Sequence, residues 1–472
     1  MRAAVRGVAS TPQVAAVSAM ASILHRQGRM VSAARWQAAR QHLQADEDSP
    51  IRQVKTPGWD LLLVCVAVYV ATAVGRLHEL FPILLPLKPA LLAGVSAIGL
   101  YLLQATGQRS AGLLRSSTTT CLLWLVLWAA LCVPGALNQG VAFRSWTEFL
   151  RTIVMCLVVA ASVRRARDIE RLILVYFGVT VVYVAVVLSR FELGAENWRL
   201  GRLYYYDAND LATLIATAMP FGLYFVLARR HPLERALAGA GLAVLAVGLI
   251  RSGSRGGLLA FLAVTAFVLL RVTTIPARSR LVGLVVILAV VFGAASDQYW
   301  SQMQTIVHPH QDYNLTSEQG RVRIWKRGIG YIAAHPVFGV GELNFQVAEG
   351  TISPLAKLQE RGIGVRWGAA HNTYIQAGAE IGIPGLLLFL GVIGSAFASL
   401  RRAARRTPQA SAAGNQVARL AQSLMTALVG FVVGAFFLSL VYHDMLYVLV
   451  ALAIGLAKVA RSDAARGSGP IV

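Results

Sequence analysis

His371 is the residue best suited by type and position to move a proton. It sits with Asn372-Thr373-Tyr374-Ile375-Gln376 where a long polar interval gives way to an apolar segment. A neutral imidazole there can accept a proton from a hydroxyl near pH 7. Asn372, Gln376 and Glu380 follow at successive helical turns and form one polar stripe, which is costly in an apolar setting unless it lines a cleft. The competing role for the histidine is structural, holding a loop by hydrogen bonds.

A second group of residues fits an anion. Arg202 lies in Gly201-Arg202-Leu203-Tyr204-Tyr205-Tyr206-Asp207-Ala208-Asn209-Asp210, a polar and aromatic run directly before an apolar segment. Arg255 lies in Ser252-Gly253-Ser254-Arg255-Gly256-Gly257, where glycines allow close backbone approach and a helix start offers free N–H groups. Guanidinium forks match phosphate oxygens. The second run is not a P-loop, because the Gly-Lys-Ser/Thr ending and the preceding strand are missing. Arg321 and Arg323 open Arg321-Val322-Arg323-Ile324-Trp325-Lys326-Arg327, and a helix would put Arg321 and Trp325 on one face. Its apolar side would carry Ile324, Trp325, Ile329 and Ile332. His335, before Pro336 and the glycines at 339 and 341, reads as a packing or capping residue. His308-Pro309-His310 lacks a carboxylate at metal spacing, so no metal is expected. For single arginines such as Arg190 or Arg251, snorkelling to lipid phosphate is the competing role.

These residues are embedded in a chain built for a bilayer. Of 472 residues, 56% are hydrophobic and 14% charged, and the mean hydropathy is +0.59. Such a composition is far outside the globular norm, and spanning-length apolar runs can satisfy their backbone only as helices. The expected spans are 60–77, 87–104, 118–138, 147–163, 170–190, 209–228, 234–250, 256–272, 280–296, 378–399, 420–441 and 443–459. The last two meet so tightly at Tyr442-His443 that a hairpin or a broken helix is expected. The net charge of +22 does not argue for nucleic acid, since the basic residues recur in short loops between spans. Arginines at 109 and 115, at 164, 165, 167 and 171, at 229, 230 and 235, at 271, 278 and 280, and at 401, 402, 405 and 406 mark the cytoplasmic side, with both termini. Arg190, Arg199, Arg202, Arg251, Arg255, Arg321, Arg323, Lys326 and Arg327 then face outward, against the insertion bias.

The organisation expected is an all-α polytopic membrane protein. Residues 1–59 form a basic cytoplasmic extension with no secretory signal, 60–296 a first helical bundle, and 297–377 a large, partly helical outward loop. Residues 378–459 form the carboxyl-terminal membrane helices and 460–472 a cytoplasmic tail. Cys65, Cys121, Cys132 and Cys156 lie in or beside spans without CxxC or metal spacing and read as small apolar side chains.

Four patches in this order resemble the O-antigen ligase and polymerase superfamily, the ligase branch above all. They are Gly201-Arg202 through Asn209, Ser254-Arg255-Gly256, Arg321-x-x-x-Trp325 through His335-Pro336-x-x-Gly339-x-Gly341, and His371-Asn372-x-Tyr374-x-Gln376 through Gly382-Ile383-Pro384-Gly385. The resemblance runs over residues 60 to 460. It implies a C-type glycosyltransferase architecture of about twelve transmembrane helices. The implied reaction is transfer of O-antigen from undecaprenyl diphosphate to the lipid A-core sugar, without metal or cofactor, on the periplasmic side of the Gram-negative inner membrane.

It further implies that Arg202, Arg255 and His371 are catalytic. Arg321, Arg323, Asn209, Trp325, Asn372, Tyr374 and Gln376 would bind substrate. This chain has Arg323 where relatives often carry a carboxylate or neutral residue, so either Arg321 or Arg323 would meet the diphosphate. Membrane lipids are the other expected partners, with no obligate protein partner. An O-antigen polymerase, a protein O-oligosaccharyltransferase and a transporter of lipid-linked glycan or solute are the competing functions.

Overall fold

The computed structural model describes residues 58–84, 86–103, 116–190, 199–200, 206–228, 231–308, 317, 320–359, 361–362, 364, 367–406 and 412–467. Residues 1–57 of the amino-terminal extension, Gly201–Tyr205 with Arg202, Arg109, Arg115, Arg229, Arg230 and His310 therefore lie outside the described residues. Met1–Gly58 and Trp59–Val472 cluster as separate units, and all elements named below belong to the second.

Among the described residues there is no strand. The helices are Leu61–Ala73 (α1), Pro89–Leu103 (α2), Ser117–Cys132 (α3), Gln139–Ser162 (α4), Ala166–Arg190 (α5), Ala208–Ala228 (α6), Pro232–Ser252 (α7), Arg255–Arg271 (α8) and Ala277–Ala294 (α9). After them come Asp297–Gln304 (α10), Arg321–Ala334 (α11), Phe345–Thr351 (α12), Thr373–Arg406 (α13), Ala412–Gly434 (α14) and Asp444–Gly467 (α15). Among the described residues, seven of these are long and apolar enough to cross a membrane: α4 to α7 and α13 to α15. The apolar α1, α2 and α3 are shorter. The chain is thus a multi-pass helical membrane protein.

Every segment expected to span coincides with a helix, but several ends move for physical reasons. The first helix stops at Ala73 rather than 77, because Arg76 turns left-handed with φ of 48°. The third stops at Cys132, short of 138, before Pro134. The fourth begins at Gln139 rather than 147, since Asn138 accepts a hydrogen bond from Val141 N–H and caps it. The span expected at 378–399 is part of a longer helix from Thr373 to Arg406.

Long-range hydrogen bonds sort the helix ends into two sets. At one end Tyr206 OH donates to Val74 O, Arg190 to Leu80 O, and Leu137 N–H to Val340 O. At the other, Arg164 pairs with Asp60, Gln416 donates to Glu170, and Gln422 donates to Thr273. Helices α4, α5 and α6 therefore run in alternate directions.

The long helix α13 is broken at Ile381 and Gly382, where the backbone leaves helical angles. Pro384 has no N–H to give Glu380 O, and the break frees further carbonyls. The turn after α11 takes them up. Val340 N–H donates to Ala379 O at 2.8 Å, Gly341 N–H to Glu380 O at 2.9 Å, and Ile383 N–H donates to Pro336 O at 2.8 Å. Trp128 Nε1 donates to Ile381 O at 2.9 Å. The approach is so close that a Cβ on Gly382 would lie 1.9 Å from Val337 O, and one on Gly339 2.5 Å from Glu380 O. Two glycine-proline motifs distant in sequence are thus halves of one joint.

The span expected at 420–441 ends at Gly434, passes through a 3-10 turn at Ala435–Phe437, and runs non-helical to His443. The break anticipated at Tyr442-His443 is present and wider, since it opens at Ala435 and closes only at Asp444. The last helix is the centre of the bundle, with 89% of its most apolar window buried. Its Lys458 ammonium donates to Ala160 O and Ala161 O at the end of α4. Its Asp444 accepts from Tyr69 and Thr152 hydroxyls. A buried ammonium is tolerated here because helix-end carbonyls replace its water.

Candidate active site

Two patches meet at the same end of the bundle. The first is built on the turn between α7 and α8. Gly253 takes φ of 57°, closing α7, and Ser254 caps α8 by accepting from Gly257 N–H at 3.0 Å. The Ser254 hydroxyl also donates to Asn209 Oδ1 at 2.8 Å. Arg199 braces the same turn, donating from Nε to Ser252 O at 2.7 Å and from Nη2 to Asn209 Oδ1 at 3.4 Å. Asp207 accepts from the Asn209 and Asp210 amides and so caps α6. Arg255, the first residue of α8, donates to Thr305 Oγ1 at 2.6 Å just past α10. Asn209 is thus a positioning partner of the turn, and Arg199 is a brace that the sequence marked only as an outward charge.

Helix α11 brings the loop over this patch. Arg321 is half-buried and within electrostatic reach of Asp210, whereas Arg323 is exposed on another face. Ile324 is buried and Ile332 partly so, but Ile329, expected on the same side, is 57% exposed. The packed face is set instead by Gly328, where an added Cβ would meet Ile375 at 2.5 Å. Arg327 is bound to Glu349 through Nε and Nη2, at 2.9 and 2.6 Å. Tyr331 OH donates to the same carboxylate at 2.7 Å, and burial pushes its phenol up, helped by that carboxylate. This cluster ties α11 to α12. His335 caps the end of α11 with its N–H on Tyr331 O.

The second patch is the His371 turn. His371 has φ of 47°, unusual for a side chain this size, and its N–H donates to Ser439 Oγ at 2.9 Å. Asn372 is buried and caps α13, accepting from Tyr374 and Ile375 amides at 3.0 and 3.1 Å. Thr373 Oγ1 donates to Leu438 O at 2.8 Å and accepts from Leu440 N–H at 3.0 Å. Tyr374 OH donates to Val432 O at 2.7 Å. Gln376 accepts from Val441 N–H and donates to Glu380. The stripe of Asn372, Gln376 and Glu380 therefore faces the protein interior, where it fastens the segment 438–441 to the start of α13. His443 lies beyond it and accepts from Met445 N–H through Nδ1 at 3.2 Å.

Aromatic contacts join the patches. The Phe437 ring packs on Gly256, Phe437 meets Phe436 edge-on, and Phe436 meets Trp325 edge-on at 5.4 Å. Trp325 Nε1 donates to Ala370 O at 3.1 Å, one residue before His371. A chain of contacts thus runs from Arg255–Gly256 to His371. Arg202 lies outside the described residues, between Leu200, whose N–H donates to Arg251 O at 2.8 Å, and Tyr206.

Glu342 was not singled out in the sequence. It is fully buried on the turn that completes the α13 break, and neither oxygen has a hydrogen bond of ordinary geometry. Burial pushes its carboxyl up to about 8; the nearby Ser145 hydroxyl opposes this and the Glu380 carboxylate adds to it. Among the described residues no group of three or more His, Cys, Asp or Glu side chains is arranged to hold a metal ion.

A family model described as O-antigen ligase matches residues 240–390, from α7 through the loop and the His371 turn to the first part of α13. No curated protein matches the chain.

Proposed function

Because the chain carries a domain of the O-antigen ligase/polymerase superfamily over residues 240–390, we propose that it is a glycosyltransferase with a lipid-diphosphate glycan donor, and specifically an O-antigen ligase. It would move O-antigen from undecaprenyl diphosphate to the lipid A-core oligosaccharide at the periplasmic face of a Gram-negative inner membrane. On this topology about twelve helices span the bilayer and both termini are cytoplasmic. The observation that carries the reading is the meeting of the Arg255 turn and the His371 turn at one end of the bundle, linked through Trp325 and Phe436.

The donor stores its activation in a diphosphate leaving group. Catalysis then needs alignment, removal of one proton, and stabilisation of charge on the diphosphate as the bond between the anomeric carbon and its oxygen breaks. Arg255 stands at a helix start whose N–H groups favour an anion, and Arg202 precedes α6 in the sequence. Arg321, half-buried and facing α6, fits the diphosphate better than the exposed Arg323. His371 takes the acceptor hydroxyl proton. The acceptor oxygen bonds to the anomeric carbon with inversion, and undecaprenyl diphosphate departs with the bonding pair. Asn372, Thr373 and Gln376 hold the histidine turn in position.

The test is transfer by purified protein in lipid vesicles, offered undecaprenyl-diphosphate O-antigen and lipid A-core in the presence of EDTA. Loss of one charge donor, in Arg255→Ala or Arg202→Ala, is expected to cost about a hundredfold. Loss of the base in His371→Ala is expected to cost about a hundredfold to ten-thousandfold. Near-normal turnover by all three folded variants would refute the mechanism. Glycan extension on the lipid-linked repeat, without transfer to lipid A-core, would make the protein a polymerase.

A further inference from the structure

A hollow in the bundle lies away from the site described above. It measures about 150 Å³ and lies between α6, the end of α8 and the start of α14. Leu223, Leu227, Val268 and Val272 wall it, Gln422 forms part of its floor, and Arg419 borders it. Leu223 is fifteen residues along α6 from Ala208, which puts the hollow about 22 Å from the Arg255 turn. It belongs to the opposite end of the bundle.

Its polar groups divide into two kinds. Gln422 is occupied within the protein: its Oε1 accepts from Thr274 N–H at 3.2 Å and from Thr274 Oγ1 at 2.7 Å, and its amide donates to Thr273 at 3.0 Å. Ser423 donates to Pro220 O at 3.0 Å, taking a carbonyl in a helix that the proline interrupts. These bonds fix the floor and leave it little to offer a ligand. Arg419 differs. It is exposed, and its guanidinium has no hydrogen bond or ion pair among the described residues.

An apolar-walled hollow with one unpaired guanidinium at its border is complementary to an amphiphile with a phosphate head. Hydrocarbon removes the leucine and valine walls from a half-empty contact, and a phosphodiester gives the fork its oxygens. A free inorganic anion would leave the walls unfilled, and a neutral lipid would leave the arginine unpaired. The hollow sits at the helix ends flanked by Arg271, Arg278 and Arg280, which would concentrate anionic lipid there. We propose that this hollow binds one anionic phospholipid, with its phosphate on Arg419 and an acyl chain between α6 and α8. On the topology proposed above, the lipid comes from the cytoplasmic leaflet, on the far side of the membrane from glycan transfer. The site is independent of which glycan acceptor the protein uses.

The test is native mass spectrometry of the full chain in detergent, titrated separately with phosphatidylglycerol, phosphatidylcholine and glycerol 3-phosphate. Wild type should retain one phosphatidylglycerol at concentrations where phosphatidylcholine and glycerol 3-phosphate leave no adduct. Arg419→Gln should weaken that retention at least tenfold. So should Leu223→Trp, which fills the hollow and leaves the charge in place. Arg419→Gln alters an exposed side chain, so it reports even where the tryptophan variant folds poorly. Retention by Arg419→Gln within twofold of wild type would overturn the proposal. Equal retention of phosphatidylcholine, or displacement of the lipid by glycerol 3-phosphate, would overturn it as well.

Discussion

Replacing Gly382 with alanine isolates the break in α13. The new Cβ would lie 1.9 Å from Val337 O, 2.5 Å from Val337 C and 2.9 Å from Pro336 O. Carbon–oxygen contacts normally settle at about 3.3–3.6 Å, so the 336–341 turn would have to retreat by roughly 1.5 Å. That retreat breaks the three backbone bonds from Ile383, Val340 and Gly341, each worth about 1 kcal/mol. Gly382 also has φ of 70° and ψ of −179°, a region that is essentially glycine's own and costs other residues about 1–3 kcal/mol. Together these predict a loss of about 4–6 kcal/mol. Gly394→Ala in the same helix is the control: an added Cβ there meets nothing within 4 Å. It should be neutral or stabilising by up to about 1 kcal/mol. The assay is the temperature at which half the detergent-solubilised protein remains monodisperse. A large drop for Gly382→Ala with none for Gly394→Ala is expected. Equal midpoints for the two variants would refute the account of the joint.

The other predictions concern residues that support the site. The folded carboxyl of Glu342 titrates near 8, above its ordinary value of 4.5, so the folded protein holds that proton more tightly than the unfolded chain. Stability should therefore fall as pH rises from about 4.5 to about 8, and Glu342→Gln should flatten this part of the thermal profile; an unchanged slope would count against the assignment. Ser439→Ala removes the acceptor of the His371 N–H. It should lower kcat by about tenfold to a hundredfold with little change in donor KM, and Ser439→Thr should recover most of the rate; a pure KM effect would contradict a positioning role. Arg327→Ala leaves the Glu349 carboxylate, 1% exposed, without its bidentate partner, a change of about 3–5 kcal/mol. Limited proteolysis should then cut between 321 and 370 faster than in wild type, and equal cutting rates would show that the pair does not hold the loop.

Much of this architecture can be read along the chain because lipid imposes a simple rule. Apolar runs of sufficient length must be helices, and every expected span coincides with one. The ends were harder, since they depend on a left-handed Arg76, a cap at Asn138 and a joint made with a distant turn. The Gly-Ile-Pro-Gly run signals a break in α13, but nothing local says that the glycines at 339 and 341 supply its missing partners. His371 stands out by residue type at a boundary. Ser439, which fixes its backbone, is an ordinary serine 68 positions away and carries no local signal. Arg255 stands out by the glycines around it at a helix start, whereas Arg199 shows in the sequence only as an outward charge, and its bracing of the Ser252 turn appears only in the fold.

The position of α15 also bears on how the protein is made. Translation runs from the amino terminus, so the helix that fills the centre of the bundle leaves the ribosome after every other helix named above. From Ser162 to Asp444 is 282 residues, which at about 5–20 residues per second takes roughly 15–55 s. Throughout that interval the carbonyls of Ala160 and Ala161 and the hydroxyls of Tyr69 and Thr152 lack the partners that Lys458 and Asp444 later bring. A nascent chain stalled before residue 444 would be inserted yet hollow, with polar groups open to lipid or protease. Arrival of α15 is therefore the step that pairs these buried polar groups and fills the centre of the bundle.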